Sequence, residues 1–258
     1  MMNGMKLFDL TGKKALVTGG SRGLGKGMAE GLMEAGAETI LVGSSKKVFE
    51  TAQSFSAAGF SCRGLQADLS HAEKRVSMFE EAVDLMGGLD ILVNCAGIQR
   101  RHPAEKFPLD EWQEVLETNL TAAFHLSQMA AEVFLKKEKP YGKIINVASM
   151  LSFFGGSTVA AYAASKGGIA QLTKAFCNDL AGRGINVNAI APGYMDTELN
   201  ATLTDTENPR FKEITRRIPA GRWGTADDMK GATVFLASSA SDYLNGVVLP
   251  VDGGYLVK

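Results

Sequence analysis

The sequence predicts an α/β fold with a doubly wound parallel sheet of about seven strands. Short runs of β-branched and apolar residues alternate with helix-compatible segments along all 258 residues, a rhythm typical of parallel sheets with right-handed crossovers. The runs are almost wholly apolar, as expected for strands covered by helices on both faces. No linker, repeat or low-complexity stretch interrupts the rhythm, so we expect a single domain over residues 1–258. The predicted strands cover residues 13–19, 38–43, 60–66, 89–95, 143–149, 185–191 and 246–251.

Composition excludes several function classes. Hydrophobic residues make up 45% and charged residues 21% of the chain, with a formal net charge of -1. These values are ordinary for a globular protein and favour neither a nucleic-acid partner nor an anionic membrane surface. The sequence has neither a signal-peptide pattern nor an apolar run of membrane-spanning length. Three widely spaced cysteines, Cys62, Cys95 and Cys177, indicate free thiols in a cytoplasmic protein, and no metal site is expected.

A glycine-rich turn follows the first strand. The stretch TGGSRGLG places Gly19, Gly23 and Gly25 where the chain passes from the strand into a helix. Glycines there let the backbone approach a ligand, and the N-terminus of the following helix attracts a pyrophosphate. The turn predicts a Rossmann-like dinucleotide site, to which Ser21, Arg22 and Leu24 also contribute. The spacing G-x-x-x-G-x-G is not the commonest fingerprint, so a tight turn with incidental glycines remains the alternative.

The end of the second strand bears on the choice of cofactor. An Asp or Glu there would bind the adenosine ribose diol, but the sequence instead has Gly43-Ser44-Ser45-Lys46-Lys47. Small hydroxyls and ammonium groups suit a 2′-phosphate better than a diol, and Arg22 adds a further positive charge. We therefore expect NAD(P), with NADP(H) favoured over NAD(H). The alternative is that Lys46 and Lys47 merely begin a solvated helix.

Two further strand ends carry candidate cofactor contacts. Asp68 and Leu69 follow the third strand, and Asp68 either accepts a hydrogen bond from adenine or caps the next helix. Asn94, Ala96 and Gly97 end the fourth strand, where small residues permit close approach of a ligand. The carboxyl ends of parallel strands are where open α/β sheets bind ligands.

A phenol and an ammonium group lie one helical turn apart in the stretch AAYAASKGG. A cation near Tyr162 favours its phenolate, so we expect Lys166 to lower the phenol pKa from about 10 toward neutrality. A phenol tuned in this way is an effective general acid or base. Taken alone, Tyr and Lys at this spacing more often form a pair on a helix surface.

Together these motifs resemble the short-chain dehydrogenase/reductase superfamily over essentially the whole chain. The matching elements are TGGSRGLG, NCAG (94–97), Asn119, Ser149, YAASK (162–166) and Pro192-Gly193. NCAG departs from the usual NNAG of the family.

The resemblance implies a catalytic set of Asn119, Ser149, Tyr162 and Lys166, in which Ser149 binds the substrate oxygen and Asn119 anchors a water. It also implies that Lys166 holds the nicotinamide ribose, and that Tyr162, Pro192, Gly193 and Thr197 lie against the cofactor. Without the resemblance, Ser149 simply ends a strand and Asn119 satisfies helix backbone groups. A homotetramer is implied as well, with helices around 109–137 and 158–182 at the interfaces.

Within the superfamily, four stretches are similar to dehydrogenases of sugar acids. These stretches are KIINVASMLSFFGG, IAPGYM, RIPAGRWG and FLASSASDYLNG. They are most similar to the 2-dehydro-3-deoxy-D-gluconate 5-dehydrogenases, also described as 2-deoxy-D-gluconate 3-dehydrogenases, and next to the gluconate 5-dehydrogenases. The resemblance implies interconversion of a secondary hydroxyl and a ketone on a hexonate. A 3-oxoacyl-carrier-protein reductase and a non-catalytic nucleotide-binding protein are the alternatives.

The candidate groups for a substrate carboxylate are guanidinium groups. Arg100 and Arg101 follow NCAG and are expected at the mouth of the cleft, where a guanidinium binds a carboxylate through two hydrogen bonds. A surface or subunit-contact role is the alternative. Arg222 is a third candidate, in a polar, proline-containing excursion over about 194–225 that we interpret as a substrate loop.

Overall fold

The protein is built around one sheet of seven parallel strands, which confirms the predicted fold class. A computed structural model describes residues 4–198 and 209–258. The sheet order is β3-β2-β1-β4-β5-β6-β7, and each neighbouring pair is parallel. The strands are β1 Lys14–Thr18, β2 Glu38–Gly43, β3 Cys62–Gln66, β4 Ile91–Asn94, β5 Gly142–Val147, β6 Ile185–Pro192 and β7 Val248–Val251.

Helices connect the strands and cover both faces of the sheet. The segment 109–135 contains a π-helical turn at Glu117–Thr121 between its two α-helices. Such a turn inside a helix often marks a functional position, and this one carries Asn119. The α-helices are α1 Gly23–Glu34, α2 Lys47–Ala57, α3 Ala72–Met86, α4 Leu109–Leu116, α5 Ala122–Leu135, α6 Ala160–Leu180, α7 Pro209–Arg217 and α8 Lys230–Ala237.

Strand residues alternate between two hydrophobic cores because successive side chains point to opposite faces of a sheet. Val17 packs in one core with residues of α1, α2 and α8. Its neighbour Leu16 packs in the other core with residues of α3, α5 and α6. Both side chains are fully buried. Burial on both sides explains why the strands read as continuous apolar runs.

A buried polar network fixes the central strands against the helices. The amide of Asn94 on β4 donates to Asn146 Oδ1 at 2.9 Å and to Ser127 Oγ at 3.0 Å. Asn146 on β5 in turn donates to Thr173 Oγ1 at 3.0 Å. Buried hydrogen bonds of this kind favour one arrangement of the elements, although Asn94 Oδ1 has no partner among the described residues. The network therefore sets the relative positions of β4, β5, α5 and α6.

The strand order reverses between β1 and β4, which opens a crevice at the carboxyl edge of the sheet. The proposed loop over 194–225 begins after β6 at this same edge. Its described parts include α7 and a single bridge between Met195 and Gly224, while residues 199–208 lie outside the described residues. In the part of the chain that is described, no helix has the length and apolar character needed to cross a membrane.

Candidate active site

A cavity of about 610 Å³ occupies the crevice at the carboxyl edge. Its volume is typical of a site for a small molecule or cofactor. It is lined by most of the residues that the sequence places at strand ends. The predicted residues in the lining are Gly19, Ser21, Arg22, Gly23, Leu24, Gly25, Ser44, Asp68, Leu69, Ala96, Gly97, Tyr162, Lys166 and Thr197.

Close backbone packing explains the glycines of the first turn. A Cβ on Gly25 would lie 2.3 Å from the carbonyl oxygen of Gly19, and one on Gly19 would lie 3.0 Å from the backbone of Ala96. Gly19 and Gly23 also have positive φ angles of 67° and 53°, which side-chain-bearing residues rarely adopt. The turn brings the N-terminus of α1, with its unpaired N–H groups, to the cavity. A pyrophosphate-sized anion fits this cradle.

The hydroxyl of Thr18 holds the β4 turn beside the glycine turn. Thr18 Oγ1 accepts hydrogen bonds from Cys95 N at 3.0 Å and Ala96 N at 3.1 Å, and it donates to Val93 O at 3.3 Å. Two walls of the cavity are therefore joined by one buried side chain. This role of Thr18 is not predicted from the sequence, because a threonine at a strand end is common and belongs to no motif.

Cations gather at the ribose end of the cavity, where the sequence predicts them. Ser44 and Arg22 line the cavity, but Ser45 does not. Arg22 forms an ion pair with Glu198, and Lys47 Nζ lies 3.2 Å from the second oxygen of the same carboxylate. Lys47 is also the first residue of α2, so the solvated-helix interpretation describes its backbone correctly while its ammonium faces the cavity rim.

Asp68 lines the cavity and also stabilises the turn before α3. Its Oδ1 accepts hydrogen bonds from Ser70 N at 3.0 Å and from the Ser70 hydroxyl at 2.7 Å. These hydrogen bonds hold the pKa of Asp68 below its usual value. The residue that caps α3 is His71, without a side-chain hydrogen bond. Asp68 thus stabilises the turn at Ser70 and does not cap α3, and it also lines the cavity.

The structure brings Ser149, Tyr162 and Lys166 together beside the cavity, which Tyr162 and Lys166 line and Ser149 does not. Ser149 follows β5 and its hydroxyl hydrogen-bonds the phenol of Tyr162. Lys166, one turn further along α6, is 4% exposed and donates to the carbonyl of Val147 at 2.6 Å. Its ammonium lies 5.6 Å from the centre of the Tyr162 ring. Three groups capable of hydrogen bonding and proton transfer therefore lie close together.

The electrostatics of these three groups correct one expectation. Burial raises the pKa of Tyr162 to about 12, against the opposing effect of the Ser149 hydrogen bond. Burial also lowers the pKa of Lys166 to about 8. The expected lowering of the phenol pKa by Lys166 is wrong, because loss of solvent around the hydroxyl is the larger effect and raises that pKa. At neutral pH the phenol is protonated, ready to act as an acid.

Ser152 ties the Ser149 turn to the helix that carries Tyr162 and Lys166. Its hydroxyl donates to the carbonyl of Lys166 at 2.6 Å and accepts from the backbone N–H of Ser149 at 3.3 Å. In return, Ser149 Oγ accepts from Leu151 N at 3.1 Å. This bridge fixes Ser149 relative to α6. A serine three residues after another serine is the spacing of a capping box, a local signal that predicts this contact between Ser149 and Ser152.

The two predicted asparagines act through the scaffold. Asn119, in the π-helical turn, accepts from Ile98 N at 2.8 Å and donates to Ile98 O at 3.0 Å and to Ser165 Oγ at 3.1 Å. Its side chain is thus occupied in holding the 94–98 turn against α6. Asn94, expected to contact the cofactor, lies outside the cavity lining with its amide in the buried network. Its contribution is to position β4.

Pro192 and Gly193 also lie outside the cavity lining. A Cβ on Gly193 would lie 2.5 Å from the Cα of Asp252, so this glycine is required by backbone packing beside β7. Thr197, four residues further, does reach the cavity, and its side chain lies against Gly23. The chain after β6 therefore crosses toward the glycine turn.

The three candidate arginines have different surroundings. Arg100 donates to Glu114 at 2.9 Å and lies 3.7 Å from Glu111, so its charge is already balanced. Arg222 forms a two-point ion pair with Asp228 at 2.7 and 2.8 Å and is also occupied. Arg101 is exposed and donates to Gln99 Oε1 at 3.2 Å. Among the described residues, no carboxylate lies within ion-pairing distance of Arg101.

A hydrogen bond places the arginine-bearing loop beside the start of α6. The backbone N–H of His102 donates to the carbonyl of Thr158 at 2.9 Å. Thr158 has a φ of 67°, unusual for a residue other than glycine. Because Thr158 lies just before the start of α6, this hydrogen bond holds the segment that carries Arg101 near the beginning of α6. None of the three arginines lines the cavity itself.

Several lining residues were not anticipated from the sequence. Cys95 lies beside the glycine turn, and burial raises its thiol pKa to about 11. Glu198 reaches the cavity from the chain after β6, and such a long-range pairing leaves no local sequence signal. The other unanticipated lining residues are Val42, Gly43, Ala67, Ser70, Ile98, Glu114, Thr118 and Val147. Within residues 4–198 and 209–258, no group of His, Cys, Asp and Glu side chains is arranged to hold a metal ion.

Known proteins of similar sequence and structure match nearly the whole chain. The family model described as short chain dehydrogenase matches residues 13–208. The chain is 48% identical to 2-dehydro-3-deoxy-D-gluconate 5-dehydrogenase of Bacillus subtilis, over 97% of each chain. It is 40% identical to gluconate 5-dehydrogenase of Gluconobacter oxydans, over 98% of each chain. The crystal structure of a gluconate 5-dehydrogenase from Burkholderia cenocepacia, in complex with NADP and tartrate, superposes with a TM-score of 0.94 at 40% identity, covering 99% of this chain and 100% of that one.

The buried lysine predicts a specific dependence of stability on pH. The pKa of Lys166 is about 8 in the folded protein and near 10.5 when exposed. Between these values the unfolded chain binds more protons on this lysine, so the free energy of unfolding rises with pH. Without cofactor, Lys166→Met should reduce that rise between about pH 7.5 and 9.5 by on the order of 1–2 kcal/mol.

Urea unfolding of the wild-type protein and the variant at the two pH values measures this difference. Lys174→Met, at an exposed lysine of the same helix, is the matched control and should keep the wild-type pH dependence. An identical rise in the wild-type protein and in Lys166→Met would contradict the depressed pKa.

Proposed function

The chain belongs to the short-chain dehydrogenase/reductase family, and we propose that it interconverts a secondary hydroxyl and a ketone on a hexonate-type sugar acid. It is an oxidoreductase that acts on CH–OH groups. The observation that carries the proposal is that Tyr162 and Lys166 line a glycine-rich cavity while Ser149 hydrogen-bonds the Tyr162 phenol beside it. The full-length similarity to sugar-acid dehydrogenases supports the substrate class.

The cofactor that fits the cavity is NAD(P), with NADP(H) preferred. The cradle of Gly19, Gly23 and Gly25 at the N-terminus of α1 suits a pyrophosphate, and Ser21, Leu24, Asp68 and Leu69 line the remaining length. Arg22 and Lys47 supply positive charge where a 2′-phosphate would lie, and a similar structure was solved with NADP. When bound, the nicotinamide supplies the hydride chemistry.

In the proposed mechanism, Tyr162 is the general acid of ketone reduction. Its raised pKa keeps the phenol protonated at neutral pH, so it can give a proton to the developing alkoxide. Ser149, which already hydrogen-bonds the phenol, also holds the substrate oxygen. In the oxidation direction Tyr162 has to lose its proton first. A positive charge near the phenol favours that loss, and the ammonium of Lys166 is available for this role.

Lys166 and Asn119 support the proton transfer. Lys166 is anchored by its hydrogen bond to Val147 O, with ammonium protons left for a ribose hydroxyl. The side chain of Asn119 is occupied by Ile98 and Ser165. Both N–H groups of the Asn119 amide are therefore committed to these contacts, and Asn119 supports the proton transfer by positioning the 94–98 turn against α6.

Arg101 is the preferred group for the substrate carboxylate. Arg100 and Arg222 are neutralised by acidic partners, whereas Arg101 is exposed without one among the described residues. The substrate that we place first is 2-dehydro-3-deoxy-D-gluconate or its 5-keto form, after the relative at 48% identity. Gluconate and 5-ketogluconate come second, supported by the gluconate 5-dehydrogenases.

A 3-oxoacyl-carrier-protein reductase is disfavoured by the charges near the cleft. An acidic carrier protein calls for an unpaired basic patch, but Glu111 and Glu114 balance Arg100 at this rim. A purely nucleotide-binding role is disfavoured because it gives no reason to keep the Ser149, Tyr162 and Lys166 arrangement. Both alternatives predict no turnover of free sugar acids.

The enzyme is proposed to be a cytoplasmic homotetramer. The three cysteines are free thiols, as expected in a reducing compartment. On the surface formed by α5 and α6, Phe124 is 41% exposed and packs edge-to-face on Phe176 at 5.8 Å. An exposed aromatic pair is typical of a protein–protein interface. These are the helices expected at the subunit interfaces.

Replacing the phenol tests the catalytic assignment. Tyr162→Phe should lower kcat by at least about 10²-fold, because it removes the general acid while leaving the cavity shape intact. Fluorescence titration should give an NADPH dissociation constant close to that of the wild-type protein. Tyr243→Phe, at a fully exposed tyrosine, is the control and should have wild-type kcat. Unchanged turnover in Tyr162→Phe would remove Tyr162 from the mechanism.

A panel of free hexonates and their keto forms, assayed with NADH and NADPH in parallel, tests the substrate class. We expect kcat/KM to be highest for 2-dehydro-3-deoxy-D-gluconate or its 5-keto form. Arg101→Ala should raise KM for the acid by about tenfold or more, the cost of losing a charged hydrogen bond. Arg100→Ala should have a smaller effect. Equal KM values for the wild-type protein and Arg101→Ala would exclude this carboxylate site, and preference for acyl thioesters would exclude the substrate class.

A further inference from the structure

Glu198 is a carboxylate placed between the two cations at the ribose end of the cavity. One oxygen pairs with Arg22 and the other lies 3.2 Å from Lys47 Nζ. Glu198 comes from the chain after β6, 176 positions after Arg22 in the sequence. The neighbouring Thr197 packs on Gly23, so this short segment lies directly against the glycine turn.

We propose that Glu198 is a specificity-determining residue that competes with a 2′-phosphate for Arg22 and Lys47. The inference rests on the cofactor site of the proposed function and adds to it a group that opposes NADP(H). The sequence around β2 predicts a phosphate site from its cations alone. The structure adds an internal anion that already satisfies both of them.

The balance of charge at this position gives the direction of the effect. Arg22 and Lys47 together carry two positive charges, and Glu198 leaves a net charge of one. A phosphate monoester carries nearly two negative charges at neutral pH, so it competes directly with the carboxylate. NAD(H), which has no phosphate on this ribose, leaves the Glu198 contacts in place. Glu198 therefore reduces the preference for NADP(H) without reducing the affinity for NAD(H).

Exposure keeps the competition reversible. The side chains of Arg22, Lys47 and Glu198 are 62%, 49% and 55% exposed. Ion pairs this exposed are weak, and a dianionic phosphate can replace them. The hydrogen bonds from Arg22 and Lys47 also hold the pKa of Glu198 below its usual value. The carboxylate is thus charged across the neutral range.

The alternative role for Glu198 is to accept hydrogen bonds from the ribose diol, and the two roles make different predictions for unphosphorylated ligands. If Glu198 accepts hydrogen bonds from the diol, removing its carboxylate weakens the binding of NAD(H). If Glu198 only competes for the cations, removing its carboxylate leaves the binding of NAD(H) unchanged. The binding of 5′-AMP and NAD separates these roles.

The test is calorimetric titration of wild-type protein and Glu198→Gln with 2′,5′-ADP, 5′-AMP, NADP and NAD. We expect Glu198→Gln to bind 2′,5′-ADP and NADP about three- to tenfold more tightly, the range of one or two exposed ion pairs. Binding of 5′-AMP and NAD should be unchanged. Glu81→Gln, at an exposed glutamate of α3, makes the same charge change away from the cavity and should bind all four ligands like the wild-type protein.

A second variant isolates the pairing. Arg22→Gln should weaken the binding of 2′,5′-ADP. The increase in 2′,5′-ADP affinity caused by Glu198→Gln should be smaller in the Arg22→Gln background, because the two side chains interact with each other. Equal or weaker binding of 2′,5′-ADP by Glu198→Gln would overturn the inference, as would parallel changes for NAD and NADP or a loss of NAD binding. No binding of any of the four ligands by either protein would overturn it together with the cofactor site. The titrations contain no sugar acid, so a wrong substrate class leaves their outcome unaffected.

Discussion

The hydrogen bond from the Lys166 ammonium to the carbonyl of Val147 joins α6, the helix that carries Tyr162, to the end of β5. At 2.6 Å and almost without solvent exposure, it fixes α6 at the carboxyl edge of the sheet, where the glycine turn also lies. Ser152 repeats the connection from the other side by bonding the Lys166 carbonyl. The position of Tyr162 follows from these two contacts, since it lies one turn before Lys166 on the same helix.

Burial at this edge determines the chemistry as much as the choice of residues does. The same desolvation that lowers the pKa of Lys166 raises that of Tyr162. The result is a phenol that keeps its proton and an ammonium that gives up its proton more readily. Such a pair is prepared to donate to an alkoxide, and a nearby positive charge is needed before it can accept a proton from an alcohol.

Local sequence patterns predicted the scaffold well because each strand is defined by its own residues. The apolar runs lie within two residues of every observed strand end, and the TGGSRGLG turn and the Tyr162–Lys166 pair both reach the cavity. The failures concern contacts between distant segments. No local sequence pattern predicts that the Asn94 amide hydrogen-bonds within a buried network, that Gly193 packs on Asp252, or that Glu198 forms an ion pair with Arg22. The phenol pKa was misjudged because proximity to Lys166 is visible in the sequence and burial is not.

The most direct test of this account is an NMR titration of the Tyr162 phenol in the cofactor-free protein. Selective ¹³Cζ-tyrosine labelling, with the resonance assigned by its absence in Tyr162→Phe, follows ionisation at this one residue. The account predicts that the phenol remains protonated through neutral and mildly alkaline pH, with a pKa of about 12. A pKa at or below that of a free tyrosine, about 10, would contradict the claim that burial controls the proton at this site.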